Sequence, residues 1–222
     1  MLQPLTVSAL YSLCHTAAAP LLSRVTYPWE ALDELEGFIV SLVRELPAEE
    51  YRSPAAGVWV HVTARVSPTA YLGQNCIIGA DTEVRHGAYI RGGVLVGKGA
   101  VIGNSTEVKN AILFDGVQVP HYNYVGDSIL GYKAHLGAGA VTSNVKSDRT
   151  AVAVRLGDAV LPTERRKLGA MVGDHVEVGC NSVLNPGTII GRGSRVYPLS
   201  CVRGYVPPQS IHKNDGQIVK IR

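Results

Sequence analysis

Large apolar residues recur at every sixth position over a long central part of the chain. Ten successive positions follow this phase: Val60, Val66, Leu72, Ile78, Val84, Ile90, Val96, Ile102, Val108 and Phe114. The pattern continues in a shifted phase at Leu130 and Leu136, and it returns at Val172, Val178, Leu184, Ile190, Val196 and Val202. Six residues do not return to one face of an α-helix, so this period excludes a helical origin.

Small residues and glycines share the same period. The position two before each large residue is usually Ala, Ser, Thr or Cys, and glycine often follows the large residue. A short strand with one large inward side chain, a small residue and a tight turn explains the pattern. Three such strands form a coil of about 18 residues, and the coils stack at about 4.8 Å. The sequence therefore predicts an all-β fold, a parallel β-helix of hexapeptide repeats over residues 51–206.

Three segments lack the repeat. In residues 1–50, an apolar stretch over about 4–22 predicts one helix, and apolar residues at three- and four-residue spacing after Pro28 predict an amphipathic helix. We expect this leader to cap the open edge of the first coil; a tether to a partner is the alternative. Residues 116–127 replace the hexad with Pro120 and polar aromatics. In residues 143–168, alternation around Gly157–Asp158 predicts a projecting β-hairpin. Residues 207–222 form a predicted C-terminal tail.

Composition agrees with a narrow apolar interior. The chain has 24 glycines but only 2 phenylalanines and 2 tryptophans, and its net charge of +3 is too small to indicate a nucleic-acid partner. The four cysteines have no CxxC spacing, which favours free thiols in a reducing compartment. The first basic residue is Arg24, too late for a secretory signal, and no apolar run is long enough for a membrane span. These features predict a soluble, cytoplasmic protein.

Two cations are spaced by one coil. Arg91 and Lys109 each follow a large hexad residue, and because 109 − 91 = 18 we expect them to lie one above the other. Two opposed like charges are unfavourable unless an anion such as phosphate lies between them. Ion pairs with Glu107 or Asp115, or splayed solvated side chains, are the alternatives.

His121 is a candidate general base. It lies beside Tyr122, Asn123 and Tyr124 in the segment without the repeat, and the ordinary pKa of histidine is close to neutral pH. A single histidine is more often structural or merely exposed. A zinc site of the kind found in β-helical carbonic anhydrases is not expected, because His86 and His121 are far apart and position 126 is Gly126.

Three runs of the sequence resemble a known family. The runs VPHYNYVGDSILG (119–131) and HLGAGAVTSN (135–144) are similar to the acetyltransferase domain of bifunctional N-acetylglucosamine-1-phosphate uridyltransferase/glucosamine-1-phosphate acetyltransferase. They are more similar still to archaeal and clostridial sugar-1-phosphate nucleotidyltransferases with a C-terminal β-helix. The run RRKLGAMVGDHVEVGCNSVLNPGTIIG (165–191) is also similar to this second group. The resemblance implies a left-handed β-helix, a homotrimer with sites between subunits, and acetyl-CoA as co-substrate without a metal.

The resemblance also implies roles for individual residues. His121 matches the general base that deprotonates the amine of glucosamine 1-phosphate or galactosamine 1-phosphate. Arg91 and Lys109 match residues that hold the sugar phosphate, and Tyr124 and Asn144 match other substrate-binding positions. Four further residues are implied to lie at the acetyl-CoA site, the first three with amides that stabilise an oxyanion: Gly137, Ala138, Gly139 and Cys180.

The sequence also departs from the family. His135 replaces an asparagine of the bacterial enzymes, and the segment after Asn144 lacks their NYDG run and the following lysine. We expect no nucleotidyltransferase domain, because fifty residues are too few to contain one. The leading interpretation is an N-acetyltransferase of nucleotide-sugar biosynthesis. The alternatives are an acyltransferase with another acceptor or acyl group, and a non-catalytic sugar-phosphate-binding β-helix or partner subunit of a separate nucleotidyltransferase.

Overall fold

The computed structural model describes residues 2–221 as a β-solenoid with three faces. Parallel strands stack along each face, one per coil. Face A consists of Val58–His61, Cys76–Ile78, the second halves of Tyr89–Val96, Glu107–Leu113 and Tyr124–Leu130, then Ala170–Val172, Thr188–Ile190 and Tyr205–Val206. Face B consists of Arg65–Val66, Glu83–Val84, Val101–Asn104, Gln118–His121, His135–Leu136, Glu177–Val178, Arg195–Val196 and Ser210–His212. Face C consists of Tyr71–Leu72, the first halves of the three long strands, Val141–Thr142, Val183–Leu184 and Cys201–Val202.

The predicted hexapeptide solenoid is confirmed, and the periodic residues form its interior. Ile78, Ile90, Ile102 and Val108 are fully buried. Phe114 is the exception to the predicted phase: Leu113 takes the inward position in register with Val96, and the buried Phe114 ring packs 5.1 Å from the ring of Tyr11 in the leader. The narrow interior admits one large side chain per strand, as the six-residue period requires. The left-handed sense of the coil stays a prediction from the resemblance.

The expectation that residues 116–127 leave the repeat is wrong. Gln118–His121 and the start of Tyr124–Leu130 are regular parallel strands, with Val119 and Val125 fully buried. Val101 pairs with Gln118, so this coil has 118 − 101 = 17 residues, whereas Arg65 pairs with Glu83 at 83 − 65 = 18. Each coil in this part of the chain is one residue shorter, which shifts the phase of the six-residue repeat but does not end the solenoid.

The leader is more irregular than predicted. Its α-helices are Val7–Leu10, Ala19–Leu22 and Leu35–Leu42, and its 3₁₀ turns are Gln3–Leu5, Leu13–His15, Pro28–Asp33 and Val43–Glu45. The single helix expected over 4–22 is wrong because Tyr11, Ser12 and Thr16 have extended backbone angles. The amphipathic segment after Pro28 is helical, but it is divided into consecutive 3₁₀ and α segments.

The leader does not cap the first coil; it lies along face A. The Ser12 N–H donates to Asp174 Oδ2 at 2.8 Å, and the Asp115 N–H donates to the carbonyl of His15 at 3.0 Å. The Tyr11 hydroxyl donates to the carbonyl of Ile129 at 3.3 Å. The physical reason is a second apolar column that points outward from face A and is buried in the folded chain: Ile77, Leu95, Ile112, Ile129, Met171 and Ile189.

Short antiparallel strands cover the strand edges at both ends of the solenoid. Tyr51–Ala55 pairs with Val58–His61, and Ile218–Lys220 pairs with Ser210–His212. The predicted boundary at residue 206 is therefore too early, because Ser210–His212 is still a parallel strand of face B. Edge strands without such cover are sites of unwanted association.

The predicted hairpin is present in the insertion, but it does not project. Ala153–Leu156 and Ala159–Pro162 form the antiparallel pair, joined at Gly157–Asp158 as predicted. Val152 and Val154 are buried, and a Cβ at Gly187 would lie 2.9 Å from the Val152 side chain. The hairpin therefore folds back onto the later coils.

Within residues 2–221, no helix has the length and apolar character that crossing a bilayer requires.

Candidate functional site

His121 lies at the corner where face B turns into face C. It pairs in register with Asn104 of the preceding coil, and its carbonyl accepts the Gly139 N–H at 3.0 Å. The Ala138 carbonyl accepts the Asn181 N–H at 2.8 Å. Because each bond joins one coil to the next, the ladder places Asn104, His121, Ala138 and Cys180 on successive rungs; we call these four residues the His121 column. Three of the predicted site residues are thus brought together.

The His121 side chain is free to act on a bound molecule. The residue is exposed, and its imidazole makes no hydrogen bond to any other group among residues 2–221. Its backbone is fixed, because the His121 N–H donates to Asn123 Oδ1 at 3.1 Å. Asn123 is itself buried, and its amide donates to the carbonyls of Gly137 and Ala140 at 2.8 and 3.1 Å. A fixed turn therefore presents an exposed base, which suits proton transfer.

Two of the three amides predicted to stabilise an oxyanion are already used. The Gly137 N–H donates to the Val178 carbonyl at 2.7 Å, and the Gly139 N–H donates to the His121 carbonyl. That part of the prediction is wrong, because bonds between coils consume both donors. Only the Ala138 N–H has no acceptor within residues 2–221.

Glycines allow the coils to stack closely beside the His121 column. A Cβ at Gly137 would lie 2.7 Å from the Cys180 nitrogen, and a Cβ at Gly179 would lie 2.4 Å from the Pro198 nitrogen. A Cβ at Gly103 would meet the Pro120 carbonyl. Only glycine allows the coils to approach this closely. The backbones of successive coils therefore lie in close contact beside His121.

A polar cluster occupies the other end of face C, and its centre is Asp127. This carboxylate is only 3% exposed and accepts from three side chains: Lys109 Nζ at 3.4 Å, Asn110 Nδ2 at 2.8 Å and Asn144 Nδ2 at 2.5 Å. Asn144 also lies 3.1 Å from the Tyr124 hydroxyl. The predicted residues Lys109, Tyr124 and Asn144 are therefore brought together by a residue to which the sequence analysis gave no role.

The cluster changes the acidity of Tyr124. Burial raises the pKa of the Tyr124 hydroxyl, and the negative charges of Asp127 and Glu107 raise it further. The phenol therefore stays protonated at neutral pH and can donate or accept a hydrogen bond without carrying charge.

Arg91 and Lys109 are not directly opposed. A bulge after Ile90 places Gly92, and not Arg91, in register with Lys109. Arg91 forms an ion pair with Glu107 at 2.9 Å, and Lys109 forms one with Asp127. The expected like-charge stack is thus wrong. Of the alternatives, the pairing of Arg91 with Glu107 is the one found, and this hydrogen bond raises the pKa of Arg91.

His135 lies outside this site. It is on face B, where its Nδ1 is 2.7 Å from Glu177 Oε2. Cys180 is exposed, and Cys76 is buried inside face A. Within residues 2–221, no group of three or more His, Cys, Asp or Glu side chains is arranged to hold a metal ion.

The comparisons with known proteins agree with this fold. Residues 76–165 match the family described as the GMPPB C-terminal domain, and residues 169–197 match the hexapeptide repeat of succinyl-transferase. A bifunctional sugar-1-phosphate nucleotidylyltransferase/acetyltransferase of Sulfurisphaera tokodaii is 36% identical over 115 residues, which are 52% of this chain and 29% of the relative. The bifunctional protein GlmU of Methanococcus maripaludis is 30% identical over 198 residues, which are 88% of this chain and 48% of the relative.

These matches confirm the resemblance predicted from the sequence. The chain spans less than half the length of both curated relatives. Among solved structures, the acetyltransferase domain of PglB from Neisseria gonorrhoeae with acetyl coenzyme A shares 16% identity, with 72% of this chain and 55% of that chain covered and a TM-score of 0.33.

Proposed function

We propose that this chain is an acetyl-CoA-dependent N-acetyltransferase that acts on an amino sugar 1-phosphate, with His121 as the general base. The observation that carries the proposal is the free imidazole of His121 on a rigid corner, with glycines beside it and a polar cluster at the other end of face C. One side of His121 suits an extended acyl donor, and the other suits a polar sugar. The names of the curated relatives, which include sugar-1-phosphate nucleotidylyltransferase/acetyltransferase, support the same reaction class.

The proposed chemistry needs only one base. The ammonium form of an amino sugar is not a nucleophile, so the His121 imidazole first takes a proton from it. The amine nitrogen then attacks the thioester carbonyl carbon, and the Ala138 N–H donates to the developing oxyanion. When the C–S bond breaks, the coenzyme leaves as the thiolate and receives the proton held by His121, while the nitrogen of the new amide releases its extra proton to solvent. No covalent enzyme intermediate is required.

Arg91 is the main phosphate ligand in this proposal. Its guanidinium has five N–H donors, and the ion pair with Glu107 uses one nitrogen while 45% of the side chain stays exposed. Lys109 is less accessible, with 24% of its side chain exposed, and it is held by Asp127. Tyr124 and Asn144 complete the acceptor side, and Gly137, Ala138, Gly139 and Cys180 line the donor side.

A homotrimer with sites between subunits and a cytoplasmic location belong to the same proposal. One observation favours the non-catalytic alternative, a sugar-phosphate-binding β-helix or partner of a separate nucleotidyltransferase. Both predicted phosphate-binding cations already have carboxylate partners within the chain. Binding without turnover would follow if substrate does not displace these partners.

The test is an acetyl-transfer assay with acetyl-CoA and glucosamine 1-phosphate or galactosamine 1-phosphate, with the acetylated product detected by mass. We expect turnover by the wild type and a loss of about 10²- to 10⁴-fold in kcat for His121→Ala. His86→Ala is the matched control, because His86 is exposed at the same corner two coils earlier, and it should keep wild-type activity.

Each failure has a separate meaning. Turnover that survives His121→Ala would refute the assignment of the base. Binding of the sugar phosphate by the wild type without any turnover would instead favour the non-catalytic alternative.

A further inference from the structure

A cavity beside the insertion is lined by none of the residues that the proposed reaction names. Its volume is about 230 Å³, and it lies between the insertion and two later coils of the solenoid. Its polar lining includes Lys146 and Arg155 of the insertion and Asn185 and Arg203 of face C. No acidic side chain lines it.

The charges in this cavity are not neutralised equally. Lys146 Nζ is 3.4 Å from Asp148 Oδ2 and also contacts Thr150. Arg155 and Arg203, in contrast, form no ion pair with any carboxylate among residues 2–221. Two arginines that face one cavity without a counter-ion form an environment that attracts an anion.

The backbone that carries these arginines is well fixed. Val152 and Val154, next to Arg155, are buried, and the Val152 N–H donates to the Arg165 carbonyl at 2.7 Å. On the opposite wall, Asn185 Nδ2 donates to the Val202 carbonyl at 2.9 Å, directly before Arg203. The cavity therefore exists without a large rearrangement, and only the arginine side chains need to order on binding.

Arg203 in this cavity is far from Lys109 of the polar cluster around Asp127. Arg203 belongs to the same outward column of face C as Lys109, and the strand registers place Gly126, Ser143 and Asn185 between them. Four rungs at about 4.8 Å separate the two backbone positions by roughly 19 Å. One phosphate cannot contact both, so the cavity needs a different occupant from the one proposed for Arg91.

We propose that Arg155 and Arg203 form a phosphate-binding site between the insertion hairpin and face C. Planar guanidinium groups bind phosphate oxygens through paired N–H donors, and two of them can approach the same phosphate from opposite walls. The phosphate belongs either to a nucleotide, such as the one that forms part of an acyl-CoA, or to free inorganic phosphate. Only the first source rests on the proposed function.

The test is calorimetric titration of the full chain with inorganic phosphate, with adenosine 3′,5′-bisphosphate and with coenzyme A. We expect Arg155→Ala and Arg203→Ala each to weaken binding of at least one probe by about fivefold or more, because each loses a charge-assisted bond. Arg195→Ala is the control: this exposed arginine of face B does not line the cavity and should change binding by less than about twofold.

The probes distinguish the two sources. Binding of the bisphosphate and coenzyme A but not of inorganic phosphate identifies a nucleotide ligand, whereas comparable binding of all three identifies the phosphate group alone. The proposal is overturned if the Arg155→Ala/Arg203→Ala double variant binds every probe as tightly as the wild type, or if the wild type binds none. Because no turnover is measured, this result does not depend on whether the chain transfers acetyl groups.

Discussion

Faces A and C share one repeat but have opposite surfaces. Their inward positions are alike, since both bury one large aliphatic side chain per strand. On face A the outward positions are also apolar, and the leader covers them; Ile112 and Ile129 are fully buried. On face C the outward positions that pair with one another from coil to coil are mixed in character and largely uncovered: Tyr71, Tyr89, Glu107, Tyr124, Val141, Val183 and Cys201.

The difference between the two outward surfaces shows that inward and outward residues have separate roles. Inward residues specify the solenoid, and outward residues specify what each face contacts. Face A is an internal packing surface, because 3₁₀ turns and helices of the leader fill the space beside it. Face C, with its two corners, holds the open polar groups that a small molecule can reach.

The largest expected effect concerns the outward column of face A. Ile129→Ala removes a fully buried side chain between the strand and the leader, and we expect a loss of about 2–5 kcal/mol in the free energy of unfolding. Tyr71→Ala is the matched outward position on face C, where the residue is 60% exposed, and it should cost about 1 kcal/mol or less. Urea denaturation of both variants measures the difference. Equal losses would mean that the leader does not stabilise face A.

A smaller effect is expected at the centre of the polar cluster. Asp127→Asn replaces the carboxylate that accepts from Lys109, Asn110 and Asn144, and it should cost about 1–3 kcal/mol of stability. Asp81→Asn is the control. Both aspartates have positive φ, which asparagine tolerates, and both approach a lysine, but the Asp81 side chain is 58% exposed. Similar unfolding curves for the two variants would contradict a central role for Asp127.

On face C itself, Arg91→Ala should affect binding and not folding. We expect the KM for the sugar phosphate to rise about tenfold with kcat little changed, because the arginine contacts a group that does not react. Arg85→Ala removes an arginine that is paired with Glu83 on face B at 3.2 Å, and it should leave KM unchanged. Steady-state kinetics decides between these outcomes. An unchanged KM in Arg91→Ala would remove this residue from the phosphate site.

The sequence predicted the interior of the solenoid well and its exterior poorly. The inward residues share a six-residue period, which can be read without knowledge of the fold. The outward column of face A was missed although each member directly precedes an inward residue, as Ile77 precedes Ile78 and Ile129 precedes Leu130. The members of this column recur only once per coil, because they lie on face A alone. A search for one large residue every six positions therefore does not detect them.

The candidate site shows the same limit. His121 and Tyr124 could be identified from a local motif, because both lie in the same short segment of the sequence. The role of Asp127 depends on donors at positions 109, 110 and 144, which come together only after the coils stack. The phase shift to 17 residues per coil was hidden for a similar reason: Pro120 and the tyrosines look like a break, although Val119 and Val125 continue the interior.

The smallest expected effect concerns the reactivity of the cysteine thiols. It contrasts a thiol buried inside face A with a thiol exposed on the outside of face C. Burial raises the pKa of the Cys76 thiol to about 12, so its reactive thiolate is rare at neutral pH. Cys14, Cys180 and Cys201 are exposed. We expect three of the four thiols to react with a thiol reagent in the native protein and the fourth only after denaturation. Reaction of Cys76 as fast as Cys201 would contradict the packing described for face A.

Hydrogen exchange with and without coenzyme A tests most directly whether the open corner, and not the covered face, is the working surface. We expect slower exchange of the corner amides of Tyr122, Gly139 and Asn181, which link the rungs of the His121 column, when coenzyme A is bound. Peptides of the leader and of face A, such as those around Ile112 and Ile129, should exchange at the same rate in both samples. Protection confined to the leader and face A, or no protection at the His121 column at saturating coenzyme A, would contradict this expectation.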